Sequence, residues 1–154
     1  MNSQLVQANL AISKYALDDP ALSGFVNNLD RINALADESR GFIWRHVSDD
    51  EDAEAKRVFG NEALIFNMSV WETLDDLRNF VYQSGHVNIL RKRSQWFVPQ
   101  DVPAMALWWQ ASAELPTVAD AKRRLDYLGQ HGPTPQAFTF RTAFDRPPSD
   151  TAVD

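Results

Sequence analysis

The order strand, helix, strand, strand, helix, strand predicts an α+β fold of the ferredoxin-like kind, βαββαβ, extended by a C-terminal helix and a short strand. Three observations predict it. Period-two alternation marks residues 4–12, 41–47, 63–71 and 104–112 as strands. Apolar residues three and four apart mark helices after the first and third of these. Gly and Pro punctuate the boundaries. A length of 154 residues suits one domain with a real core. Residues 1–145 are expected to form it, with 146–154, which contain Pro147 and Pro148, as a flexible tail.

The first strand separates two faces. Val6, Ala8, Leu10 and Ile12 make one wholly apolar; Leu5, Gln7, Asn9 and Ala11 make the other mixed. Asp19 and Pro20 open the first helix as cap and first residue. Its stripe is Leu22, Phe25, Val26, Leu29, Ile32 and Leu35, and Gly41 suits its left-handed stop. In the second strand Phe42, Trp44 and His46 should share a face. Residues 48–56 are acidic, without a core-forming side chain, and read as a solvated loop.

The third strand repeats the pattern of the first. Leu64, Phe66, Met68 and Val70 are apolar; Ile65, Asn67, Ser69 and Trp71 stand opposite them. Thr73 and Asp76 form a capping signal for a helix with stripe Leu74, Leu77, Phe80 and Val81. Ser84 can cap a further helical segment reaching about Trp96. In the fourth strand the neighbours Trp108 and Trp109 must face opposite ways. Thr117 and Asp120 cap the last helix, with stripe Val118, Ala121, Leu125 and Leu128 and an end at Gly129. Residues 137–141 alternate as a short strand would.

With helices on the apolar face, the face of Gln7, Asn9, Asn67, Ser69 and Trp71 is left bare. It is too mixed for open solvent. Two such sheets packed as a homodimer would enclose a partly polar cavity.

Composition narrows the partners. A net charge of −6 argues against nucleic acid and against anionic membranes, which need a basic surface. No apolar run reaches the length of a membrane span, and no N-terminal basic stretch precedes an apolar one, so a cytoplasmic protein is expected. There is no cysteine, hence no disulfide, thiolate nucleophile or thiolate metal site. No metal-ligand spacing, Gly-rich phosphate loop or Gly-x-Ser-x-Gly elbow occurs. Five Trp and nine Phe in a small domain suit a pocket for a flat aromatic molecule.

Within that pocket Asn67 can donate to a substrate oxygen and stabilise developing negative charge. Trp71 can stack on an aromatic ring. His86, near a helix start where imidazolium is disfavoured, can act as acid or base. Ser69, Asn9, Tyr82, Trp96, Trp108 and the cations Arg45 and Arg91 complete the candidate substrate contacts.

The stretches LDDPALSGFVNNLDRINALADESRGFIWR, NMSVWETLDDLRNFVYQSGHVNILRKRSQWF, LWW and HGPTPQAFTF together resemble the bacterial domain-of-unknown-function 3291 family. The resemblance implies a dimeric α+β barrel. A wider likeness is to the antibiotic-biosynthesis monooxygenases of the same superfamily, which oxidise phenolic or polycyclic substrates with O₂ and no metal, flavin or haem. Their third strand carries an Asn and, four residues on, a Trp; Asn67 and Trp71 stand at that spacing. The resemblance implies a cofactor-independent monooxygenase of secondary metabolism. It also leaves a haem protein with His86 on the iron, since superfamily members bind haem through a His. A non-catalytic carrier of a small aromatic ligand is the third reading.

Overall fold

The computed structural model describes residues 3–16, 19–47, 53–83, 95–100 and 103–148. The elements are β1 (Ser3–Ser13), a 3₁₀ turn (Pro20–Leu22), α1 (Ser23–Asp37), β2 (Phe42–Arg45), α2 (Ala53–Phe59), β3 (Leu64–Trp71), α3 (Leu74–Gln83), β4 (Phe97–Val98), β5 (Met105–Ala111) and α4 (Val118–His131). The sheet is antiparallel throughout. Its order is β2-β3-β1-β5, with the short β4 beside the far end of β1. This is the ferredoxin-like arrangement.

Local chemistry sets the element ends. Asp19 accepts from the backbone N–H of Ala21 at 2.9 Å and starts the 3₁₀ turn that leads into α1. Gly41 follows α1 with φ +82°, and any Cβ there would collide with the Asp76 side chain. The Thr73 hydroxyl accepts from the Asp76 N–H at 3.0 Å. Thr117 and Asp120 form a complete capping box on α4. That helix runs past Gly129 to a stop at Gly132, φ +73°. Gly129 serves packing instead: it lies against Pro103, which a Cβ would approach to 3.3 Å.

Helices cover both faces of the sheet. The apolar face (Val6, Ala8, Leu10, Leu64, Met68, Val70, Ala106 and Trp108) is closed by Ala55 of α2 and by Val118, Ala121, Leu125 and Leu128 of α4. The mixed face lies under α1 and α3, through Ala36, Leu77 and Phe80 against Leu5, Trp71 and Leu107, and through Phe25 and Ile32 beside Ile65. The expected bare face is therefore a sheet–helix interface. Alternation separates the two sides of a strand but does not say which helices go to which.

Three further differences have local causes. A register shift between Phe42 and Trp44 puts Phe42 opposite Trp71 and Trp44 opposite Val70, so these two aromatics take opposite faces. The described part of the expected acidic loop, from residue 53, is helical, because Ala55, Val58 and Phe59 give α2 an apolar side. In place of a strand at 137–141 there are two isolated bridges, Leu107 to Phe138, with hydrogen bonds of 2.8 Å in both directions, and Thr134 to Ala137. Arg146 is tied down: its guanidinium lies 5.1 Å from the centre of the Trp109 ring and donates to the Glu72 carbonyl. Trp109 Nε1 in turn donates to the Phe144 carbonyl at 2.9 Å.

Candidate functional site

Pairing of β1 with β3 brings the polar side chains together. Gln7 stands opposite Ser69 and Asn9 opposite Asn67. Directly opposed residues share a face at about 4.5–5.5 Å. Beneath helices, each amide must find a partner or carry an unpaired buried dipole.

The partners are one another. Asn9 Nδ2 donates to Gln7 Oε1 at 2.7 Å. Gln7 Nε2 faces Asn67 Oδ1 at 3.4 Å and Ser69 Oγ at 3.5 Å. Trp71 Nε1 donates to Ser69 Oγ at 2.8 Å. Gln7 is 6% exposed and Ser69 6%, so the middle of this chain is dry, while Asn9 and Asn67 at its end are half-buried.

Trp71 closes the other end. It is fully buried, stacked on Phe80 at 5.1 Å between ring centres and met edge-on by Phe42 at 5.5 Å. With its ring covered by protein, it offers no platform for a ligand. Its role is to pack and to hold Ser69, which corrects the stacking role expected from the sequence.

Other candidates divide by position. Trp96 is on the same side, buried with Phe25 and Phe97 beside Ile65. Trp108 is not: it pairs in register with Val6 and belongs to the apolar face, so it cannot share a site with Asn67. Arg45 lies opposite Ser69, but its guanidinium is held by the Asp37 carboxylate through bonds of 3.2 and 3.1 Å. Tyr82 is 74% exposed on α3. His86 and Arg91 lie outside the described residues.

The residue that sequence reasoning passed over is Gln7. Its place on the mixed face was legible. Its function as the joint between two strands depends on register, which alternation does not supply. A cavity of about 890 Å³ occurs on the apolar face, bordered by Leu10, Ile12, Phe59, Leu64 and Gln100 and by α4. It is separated from Asn67 by the sheet. Among the described residues no cluster of three or more His, Asp or Glu could hold a metal, and no helix is long and apolar enough to cross a membrane.

Comparisons with known proteins agree with the architecture. The protein of unknown function NE2512 from Nitrosomonas europaea matches with a TM-score of 0.50 at 9% identity, over 75% of this chain and 96% of that one. SnoaB, a cofactor-independent oxygenase from Streptomyces nogalater, matches with a TM-score of 0.48 at 16% identity, over 75% and 99%. At 9% identity the first of these speaks to fold alone, and a TM-score of 0.48 carries no argument. No curated protein matches the sequence. A family model described as Domain of unknown function (DUF3291) matches residues 4–153. That match takes in nearly the whole sequence, and the chain belongs to the DUF3291 family.

Proposed function

We propose that this protein is an enzyme acting on a small aromatic or polycyclic molecule, a cofactor-independent monooxygenase of secondary metabolism, working as a cytoplasmic homodimer. The observation that carries the reading is the amide chain ending at Asn67. Its carbonyl oxygen faces Gln7, which leaves its Nδ2 to donate to a ligand oxygen. The Asn67 and Trp71 spacing that resembles the antibiotic-biosynthesis monooxygenases supports it, as does the resemblance to dimeric α+β barrels for the homodimer.

In this reading the substrate supplies the electrons. A phenolic carbon acid loses a proton, and the resulting anion is stabilised by the Asn67 donor. The anion carbon adds O₂ and takes a proton to give a hydroperoxide. Loss of water from it leaves a new carbonyl. His86 is the proposed acid or base, and Ser69, Asn9, Tyr82, Trp96, Arg45 and Arg91 are the proposed surroundings of the substrate.

The test uses purified protein and 1,8-dihydroxy-9-anthrone with an oxygen electrode. We expect colourless protein that speeds oxygen uptake over the buffer rate, slowed about 100-fold in Asn67→Ala, the scale for losing one donor to a developing oxyanion. Uptake equal to buffer, or unchanged in Asn67→Ala, overturns the reading. A Soret band that disappears in His86→Ala would replace it with haem chemistry.

A further inference from the structure

Resting on that reading, we infer that Gln7 is a positioning residue that makes the site accept ligands presenting an acceptor oxygen and discriminate against those presenting a donor. The inference comes from the direction of the hydrogen-bond chain. An amide has one acceptor end and one donor end. Asn9 Nδ2 occupies the acceptor of Gln7 at 2.7 Å, so the Gln7 amide is turned with Nε2 toward β3. That Nε2 meets two acceptors, Asn67 Oδ1 and Ser69 Oγ. Ser69 Oγ also receives the Trp71 indole N–H, which fixes it as an acceptor from two directions.

Asn67 therefore spends its oxygen inside the protein. Its Nδ2 has no hydrogen-bond partner among the described residues, yet it is not one of the buried unpaired nitrogens, which among those residues are Gln100 Nε2 and Arg124 Nε. Asn67 is half-buried rather than fully enclosed, and in this scheme its two N–H groups are the ones given to a ligand. A ketone or phenolate oxygen satisfies it; an N–H or O–H donor meets another donor. Gln7 touches no ligand in this scheme. It sets which end of Asn67 the ligand sees.

The scheme makes an unusual demand of a near-isosteric change. In Gln7→Glu the introduced carboxylate still accepts from Asn9 but has nothing to donate to Asn67. The Asn67 amide should rotate, giving Nδ2 to the carboxylate and presenting Oδ1 outward. Ligand preference should then reverse.

Two flat tricyclic probes of similar size read this out: 9-fluorenone, which only accepts through its carbonyl, and carbazole, which only donates through its N–H. Titrations followed by tryptophan fluorescence at pH 8, to keep the introduced carboxylate ionised, should show wild type favouring 9-fluorenone by about tenfold, the scale of one net hydrogen bond. Gln7→Glu should favour carbazole, and Gln7→Leu should show little preference. The Asn67 side-chain NH₂ pair in a ¹⁵N–¹H spectrum, identified by its loss in Asn67→Ala, should move in Gln7→Glu. A merely structural role for Gln7 would weaken both probes together, and an unchanged preference in Gln7→Glu overturns the inference while leaving the oxygenase reading intact. If wild type binds neither probe, or Asn67→Ala binds both as wild type does, the inference is overturned along with the ligand site on which it rests.

Discussion

On one face of the sheet Val6, Ala8, Met68, Val70 and Trp108 meet α2 and α4 with hardly a polar side chain among them. On the other, the same strands present Gln7, Asn9, Asn67 and Ser69 to α1 and α3, and their hydrogen bonds run from side chain to side chain. The first face gains its stability by removing apolar area from water. The second gives up some of that gain to hold amides in fixed directions, since a buried polar network rigidifies only when each member is satisfied. The contrast separates roles: mutations on the apolar face should act on stability, and mutations on the mixed face should also act on what the protein binds.

The largest expected effect breaks the apolar face. Trp108 is fully buried, and Trp108→Ala should cost about 3–5 kcal/mol in urea denaturation. Where folded protein persists, its preference between fluorenone and carbazole should be unchanged. A changed preference would mean that the two faces are not independent.

Next comes the corner that joins the helices of the mixed face. Gly41 has φ +82°, its carbonyl accepts from the Glu72 N–H at 2.8 Å, and the Asp76 side chain fills the place of a Cβ. Gly41→Ala should cost about 2–3 kcal/mol, combining a left-handed backbone with the displacement of Asp76. A loss under about 0.5 kcal/mol would show that the corner relaxes freely.

Trp71→Phe sharpens the comparison from inside the network. The ring can still stack on Phe80, but the hydrogen bond to Ser69 is gone. We expect a loss of about 1–2 kcal/mol by denaturation, from one buried bond and some packing. Ser69 then has a free acceptor lone pair for Gln7, so Asn67 should loosen and ligand preference should fall. The same substitution at Trp108, whose Nε1 has Gln110 Oε1 at 3.1 Å, should cost stability alone.

How much of this the sequence carried can be read residue by residue. The four long strands, the Thr117–Asp120 box, the Asp19 cap and the mixed composition around Gln7 and Asn67 were legible, because each depends on neighbours within four residues or on period-two alternation. The bulge at Phe42 was not, since a single extra residue reverses the face of everything before it without leaving a mark in composition. Nor was the helical cover of the mixed face: α2 and α4 reach the apolar side through contacts between segments far apart in sequence. Trp71 was misjudged for the same reason. Its spacing from Asn67 is visible in the sequence, but the stacking of Phe80 upon it is a tertiary fact.

The smallest expected effect concerns the cover of the apolar face. Burial opposes ionisation of Asp120, but the Thr117 backbone N–H, the Arg123 guanidinium at 2.7 Å and the Thr117 hydroxyl outweigh it and hold its carboxyl below the ordinary value. A carboxylate with a depressed pKa in the folded state contributes stability that is fully present above its unfolded pKa of about 4 and is lost as pH falls through the folded value. Asp120→Asn should therefore cost about 0.5–1 kcal/mol at pH 7, the scale of one helix-cap interaction. The difference from wild type should be flat down to about pH 5 and shrink below about 4, where protonation of Asp120 makes the two proteins alike. Denaturation at pH 7 and pH 3 measures it, and a difference that persists undiminished at pH 3 would assign the effect to shape rather than charge. Since α4 lies across the sheet from Asn67, neither pH nor the substitution should move ligand preference at pH 7, which makes this variant the mildest check that the two faces act separately.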